Sequence, residues 1–246
     1  MIRSGNPALN DNTFTRNLSY PEENRMTLMG AVNKTAILLF VLVLAASITW
    51  KMVLTGESGA GIFIWGGTIA GFIVAIVTIF KKNWAPFTAP LYAALKGLFI
   101  GGISAYFAAL YEGIVMQAVG LTFGILFALL AAYKSGLIKA TENFKLGIFA
   151  ATGGIALFYI MSIVLGLFGV NMTFLHDSSP LSIGISVFIV IIASLNLVLD
   201  FDFIENGAEM GAPKYMEWFA AFGLMVTLIW LYLEILHLLA KLQNRN

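Results

Sequence analysis

Seven long apolar runs constrain this chain more than any other feature, near residues 33–54, 60–80, 90–111, 113–134, 144–169, 181–203 and 216–240. A helix of about 20 residues, rising 1.5 Å per residue, crosses the ~30 Å of hydrocarbon in a bilayer. In that medium every backbone amide must be satisfied within the spanning structure, which leaves helices and closed barrels. Barrel strands read as ~10-residue segments of alternating hydrophobicity, and these unbroken runs do not. The predicted fold is therefore all-α and polytopic, with seven transmembrane helices over residues 32–246 and a polar amino-terminal tail over 1–31.

Composition agrees. The 246 residues are 59% hydrophobic and 11% charged, against about 25% charged in soluble domains. A net charge of +1 points to no nucleic-acid partner, and zero cysteines exclude disulfides, cysteine-ligated zinc and a thiol nucleophile. His176 and His237 stand far apart and make no histidine metal centre. The tail lacks a continuous apolar h-region, so the first span is expected to act as an uncleaved insertion signal. The connections are short and leave no room for a soluble domain.

Lysine and arginine set the expected orientation. With the amino terminus cytoplasmic, eleven of these residues fall inside and only Lys51, Lys241 and Arg245 outside. A multi-pass protein of the inner (plasma) membrane is the expectation. Glycines at Gly66-Gly67, Gly97 with Gly101 and Gly102, Gly153-Gly154 and Gly184 are expected where helix backbones approach closely. The five tryptophans are expected as interfacial anchors. Lys34, Lys51 and Lys241, near span ends, are expected to snorkel to the headgroups.

Two acids do not fit that pattern. Asp200 lies among Leu199, Phe201 and Ile204, and Glu234 lies between Leu233 and Ile235 inside the last apolar run. An ionisable residue at membrane depth is by default a candidate functional site. Asp202, two positions from Asp200, points ~200° away on a helix; with Glu205 and Glu209 it reads as a solvated rim. Lys96 sits at a depth close to that of Asp200 and is a candidate ion-pair partner. Were Asp200 and Glu234 to approach in low dielectric, one shared proton would hold their helices together, and its loss would part them. Carboxylate oxygens so placed suit a transient Ca²⁺. One condition attaches to the pairing: Glu234 stands ~27 Å along a straight helix from Tyr215. The two acids meet only if that helix begins before the hydrocarbon, which the stretch from Gly211 to Trp218 suits, or breaks, which Gly223 allows.

Several stretches carry a family likeness: Ser4-Gly5-Asn6-Pro7-Ala8-Leu9, Gly97 to Ala105, Gly136-Leu137-Ile138-Lys139, Asn196 to Gly207, Gly211 to Trp218, and Trp230-Leu231-Tyr232-Leu233-Glu234-Ile235-Leu236. In these the chain resembles the Bax inhibitor-1 (transmembrane Bax-inhibitor-motif) family, in its bacterial branch. The resemblance implies a last helix central in the bundle, wrapped by the other six. It also implies an acid on helix six and another on helix seven, together the pH sensor of a calcium leak. Asp200 looks like the first, and Glu234 falls where calcium-leak members carry Asp. Asp202, Lys96 and Glu205 are supporting candidates. No cofactor is expected, Ca²⁺ being the permeant ion alongside protons, and the lipid bilayer is the standing partner. The alternative is a non-transporting interaction protein that modulates a membrane-anchored protease, as some bacterial relatives do. No nucleophile elbow or His-Glu-x-x-His pair is present, so an enzyme is not expected.

Overall fold

The computed structural model describes residues 21–169 and 177–245. Its seven helices are α1 (Leu28–Leu54), α2 (Ala60–Phe80), α3 (Ala85–Leu110), α4 (Ile114–Lys134), α5 (Glu142–Leu167), α6 (Pro180–Glu209) and α7 (Met216–Gln243). All are long and apolar enough to cross a membrane. The expected amino-terminal tail lies largely outside the described residues, as does His176.

Local chemistry sets the ends more sharply than hydropathy does. The first helix begins at Leu28 rather than near 33, because Thr27 adopts an extended backbone and its hydroxyl accepts the Gly30 amide at 2.9 Å. The third begins at Ala85 rather than near 90. Pro86 falls in its first turn, where the missing amide costs no hydrogen bond. Ser179 caps α6, accepting the Ser182 amide at 3.2 Å, with Pro180 as the first helical residue. The Ser179 hydroxyl also donates to Asp177 at 2.7 Å and holds that exposed carboxyl below the usual carboxylate range.

The largest difference from the sequence reading is the far end of α6. Hydropathy fades at Phe203, yet the helix continues to Glu209. What stops it is geometry, not polarity. Gly211 takes φ +66°, its amide donates to the Ala208 carbonyl, and the Ala212 amide donates to the Gly207 carbonyl, a left-handed helix cap that glycine adopts without strain. Asp200, Asp202 and Glu205 therefore all stand in the body of a helix. Asp200 does not sit at the helix end; nine residues of α6 follow it.

The chain divides into two compact units, and α6 and α7 contribute to both. Among the described residues, one unit is built on 21–112 with Asp202–Val226. In it α3 packs on α1 and α2. A Cβ added at Gly97 or Gly101 would meet the α1 backbone at Leu42 or Ala46, and one at Gly67 would meet the α3 backbone at Leu95. Across the α1–α3 contact the Thr49 hydroxyl donates to the Leu98 carbonyl at 2.8 Å. The expectation for glycine holds there and fails elsewhere: nothing lies within 4 Å of a Cβ at Gly66, Gly153, Gly154 or Gly184.

The other unit is built on Gly113–Phe201 with Thr227–Asn246. Its apolar centre joins Ile148 and Ile155 of α5 to Ile189, Ile192 and Leu199 of α6, with Tyr159 and Trp230 packed against them. In this unit the Asn196 side-chain amide on α6 donates to the Thr152 hydroxyl on α5 at 2.8 Å.

Burial separates the helices into two kinds. In α1, α2, α4 and α5 no more than 22% of the most apolar window is buried, whereas in α7 the figure is 83%. The first four present large apolar side chains outward, to lipid. The last is enclosed by protein along most of its length.

Candidate functional site

Both acids singled out by the sequence belong to the unit containing α4 and α5. Asp200 is completely buried, at 0% exposure, and Glu234 is 8% exposed. The reason is the face each occupies. Asp200 continues the buried face of α6 through Asn196 and Leu197, while Glu234 sits on the helix that is enclosed almost throughout. Asp202 and Glu205, turned away, are only half-buried, and Glu209 is exposed.

Glu234 is held by two donors. The Tyr159 hydroxyl of α5 donates to its Oε1 at 2.7 Å, and the Trp230 indole, one turn earlier on α7, donates to the same oxygen at 3.1 Å. These two hydrogen bonds offset part of the cost of burying the acid in an apolar setting. The expectation that Trp230 is an interfacial anchor is thereby corrected: the ring packs on the isoleucine cluster, with its N–H spent on Glu234. Removing the phenol in Tyr159→Phe leaves the ring and deletes one hydrogen bond to a buried acceptor. It should lower stability by about 2 kcal/mol, read as a drop in the thermal midpoint of the purified protein in detergent.

Lys241 also departs from expectation. In place of extending to headgroups, its ammonium donates to Ser186 of α6 at 2.8 Å, and Ser186 is buried. Lys96 and Asp200, a candidate ion pair by depth, belong to different units. The Lys96 ammonium lies 6.0 Å from the Tyr92 ring centre and 5.5 Å from that of Phe99, within the range of cation–π attraction. The last helix runs unbroken from Met216 through Gly223, so a break at that glycine does not occur. Among the described residues no group of three or more His, Cys, Asp or Glu is arranged to hold a metal ion.

A family profile described as Bax inhibitor 1 like matches residues 6–244. The chain belongs to that family. A comparison with curated proteins gave no match. As a Bax inhibitor 1 like protein it is a multi-pass membrane protein whose outer helices face the lipid bilayer.

The sequence reading missed one buried acid of this Bax inhibitor 1 like chain. Glu217 is 1% exposed at the start of α7. It pairs with Lys214 at 2.8 Å and accepts from both the amide (3.1 Å) and the hydroxyl (3.0 Å) of Thr27. The carboxylate thus sits at the amino terminus of α1, where unpaired amides and the helix dipole favour negative charge. Beside it the chain pairs as a short antiparallel bridge between Arg25 and Pro213, with Met26 N–H donating to Ala212 O at 2.6 Å and Lys214 N–H to Asn24 O at 2.8 Å.

Proposed function

We propose that this protein is a pH-sensitive calcium leak of a bacterial inner membrane, passing Ca²⁺ down its gradient, with Asp200 and Glu234 as the gate. It is read as a transport protein, not an enzyme, with its amino terminus in the cytoplasm. The observation that carries the reading is the burial of both carboxyls on spanning helices of one unit, Asp200 at 0% and Glu234 at 8% exposure. A chain that only needed to sit in the bilayer would gain nothing from two acids there, because each is costly to desolvate.

In this mechanism each carboxyl holds its own proton, Glu234 among Tyr159, Trp230 and Lys241 and Asp200 in the interior of α6, and with both neutral α6 and α7 stay packed. Tyr159 and Trp230 fix the Glu234 carboxyl through Oε1, so Oε2 is the atom that takes the proton. When the protons leave, two negative charges are stranded in low dielectric, and they draw in water and cations. The helices part, and the carboxylates become hard oxygen ligands for a passing Ca²⁺. The ion is the transported species and has no permanent site.

The test is flux into liposomes that enclose a Ca²⁺ dye. The wild-type protein should show a rate that changes with pH. Asp200→Asn and Glu234→Gln should each remove that dependence, because neither amide takes or gives up the proton. Flux absent at every pH would sink the reading and favour a membrane interaction protein.

A further inference from the structure

The placement of Lys241 has no use in the mechanism above, and it departs from how a terminal lysine ordinarily behaves. A lysine near the end of a spanning helix extends its stem toward the headgroups and keeps its charge in water. Lys241 instead holds its ammonium on the hydroxyl of Ser186, a side chain only 4% exposed, on a different helix. The charge is tethered inward.

What it faces follows from the helix. Lys241 stands seven residues after Glu234 on one continuous α7, two turns on and on the same face. The rise between them is ~10 Å. Side chains on a helix lean toward its amino terminus, so the ammonium falls short of that separation. The groups around this face come from three helices of one unit: Tyr159 of α5 on the Glu234 carboxyl, Ser186 of α6 on the Lys241 ammonium, and Trp230 of α7 itself. Two of these are neutral hydroxyls and the third an indole; the exposed Asp177 carboxyl interacts with the Lys241 ammonium, and His237 stands exposed between Lys241 and Glu234 on the same helix. Lys241 supplies a fixed positive charge on this face. Charges ~10 Å apart in partly buried surroundings interact several-fold more strongly than the same pair in water.

We propose that Lys241 is an electrostatic guard on Glu234: pinned by Ser186, its ammonium repels a divalent or trivalent cation approaching the Glu234 carboxylate from the carboxyl-terminal end of α7. The guard limits how readily cations occupy that carboxylate and so keeps a leak slow. The inference rests on the reading of Glu234 as the acid that meets the permeant ion.

Terbium provides a probe that does not depend on flux. Tb³⁺ is a hard, oxygen-seeking stand-in for Ca²⁺, and the Trp230 indole, bonded to Glu234, is placed to sensitise its emission. The full chain in detergent is titrated with Tb³⁺ under tryptophan excitation, with Trp230→Phe identifying the emission that belongs to this site. Lys241→Met should raise the Tb³⁺ affinity about tenfold or more, Lys241→Arg should leave it near wild type, and Glu234→Gln should abolish the gain. Lys241→Gln keeps a donor for Ser186 while removing the charge, and should show the same rise if the methionine variant folds poorly. An affinity unchanged in both neutral variants would overturn the proposal. Its failure is distinguishable from that of the calcium-leak reading. A wild type that passes no Ca²⁺ at any pH removes the leak, whereas neutral variants that gain no affinity remove only the guard.

Discussion

Gly101→Val should prevent α1 and α3 from closing on each other. A Cβ at this position would land on the Ala46 carbonyl and the Thr49 hydroxyl. The first of these is backbone, so no rotamer change relieves the overlap. Thr49 is also the donor to the Leu98 carbonyl, so the same substitution breaks the hydrogen bond that spans the contact. Overpacking alone typically costs about 1–3 kcal/mol, and the lost bond adds about 1. A total near 4 kcal/mol is a large fraction of what a membrane bundle has to lose. The expected result is a sharp fall in folded, monodisperse protein, with a thermal midpoint well below wild type in what survives. Gly154→Val is the control, because open space surrounds that position. There the outcome should stay within about 1 kcal/mol, since valine forms helix somewhat better than glycine. Equal losses at the two sites would show that close backbone approach is not what Gly101 provides.

Gly30→Ala should have the second large effect, through a different mechanism. The new methyl would fall on the carboxylate of Glu217. That carboxylate is 1% exposed and cannot swing into water without abandoning Lys214 and both Thr27 donors. Displacing one member of a buried, hydrogen-bonded charge pair costs about 3–5 kcal/mol when the partners are left stranded. Because Lys214 is half-exposed and water can take over part of its bonding, about 3 kcal/mol is the expected loss, measured as a shift in thermal unfolding. A double-mutant cycle checks the cause. With Glu217→Ala already present, Gly30→Ala has nothing to displace, and its added cost should shrink to a few tenths of a kcal/mol. A full additive penalty in the double variant would place the damage in the helix start itself.

The spans were legible because hydropathy is summed over neighbours in sequence, and a bilayer reads the same sum. Their ends were less legible. The continuation of α6 from Phe203 to Glu209 rests on Gly211 and on two hydrogen bonds that close the cap. The early start of α3 rests on a proline tolerated in a first turn. Neither is a hydropathy signal. The two acids were legible for the same reason as the spans: a carboxylate among leucines and isoleucines stands out locally. Glu217 did not, because Met216, Trp218 and the nearby Lys214 make it look like an interfacial residue.

By itself, then, the sequence determined the number of crossings, the family likeness and the two acids inside the apolar runs, all properties of contiguous residues. Tertiary structure alone decided their partners: Tyr159 for Glu234 across 75 residues, Ser186 for Lys241 across 55, and Thr27 for Glu217 across 190. Helix formation is local, so a stretch of chain declares it. The satisfaction of a buried charge depends on which side chains the packing of separate helices brings within 3 Å, and no local pattern encodes that.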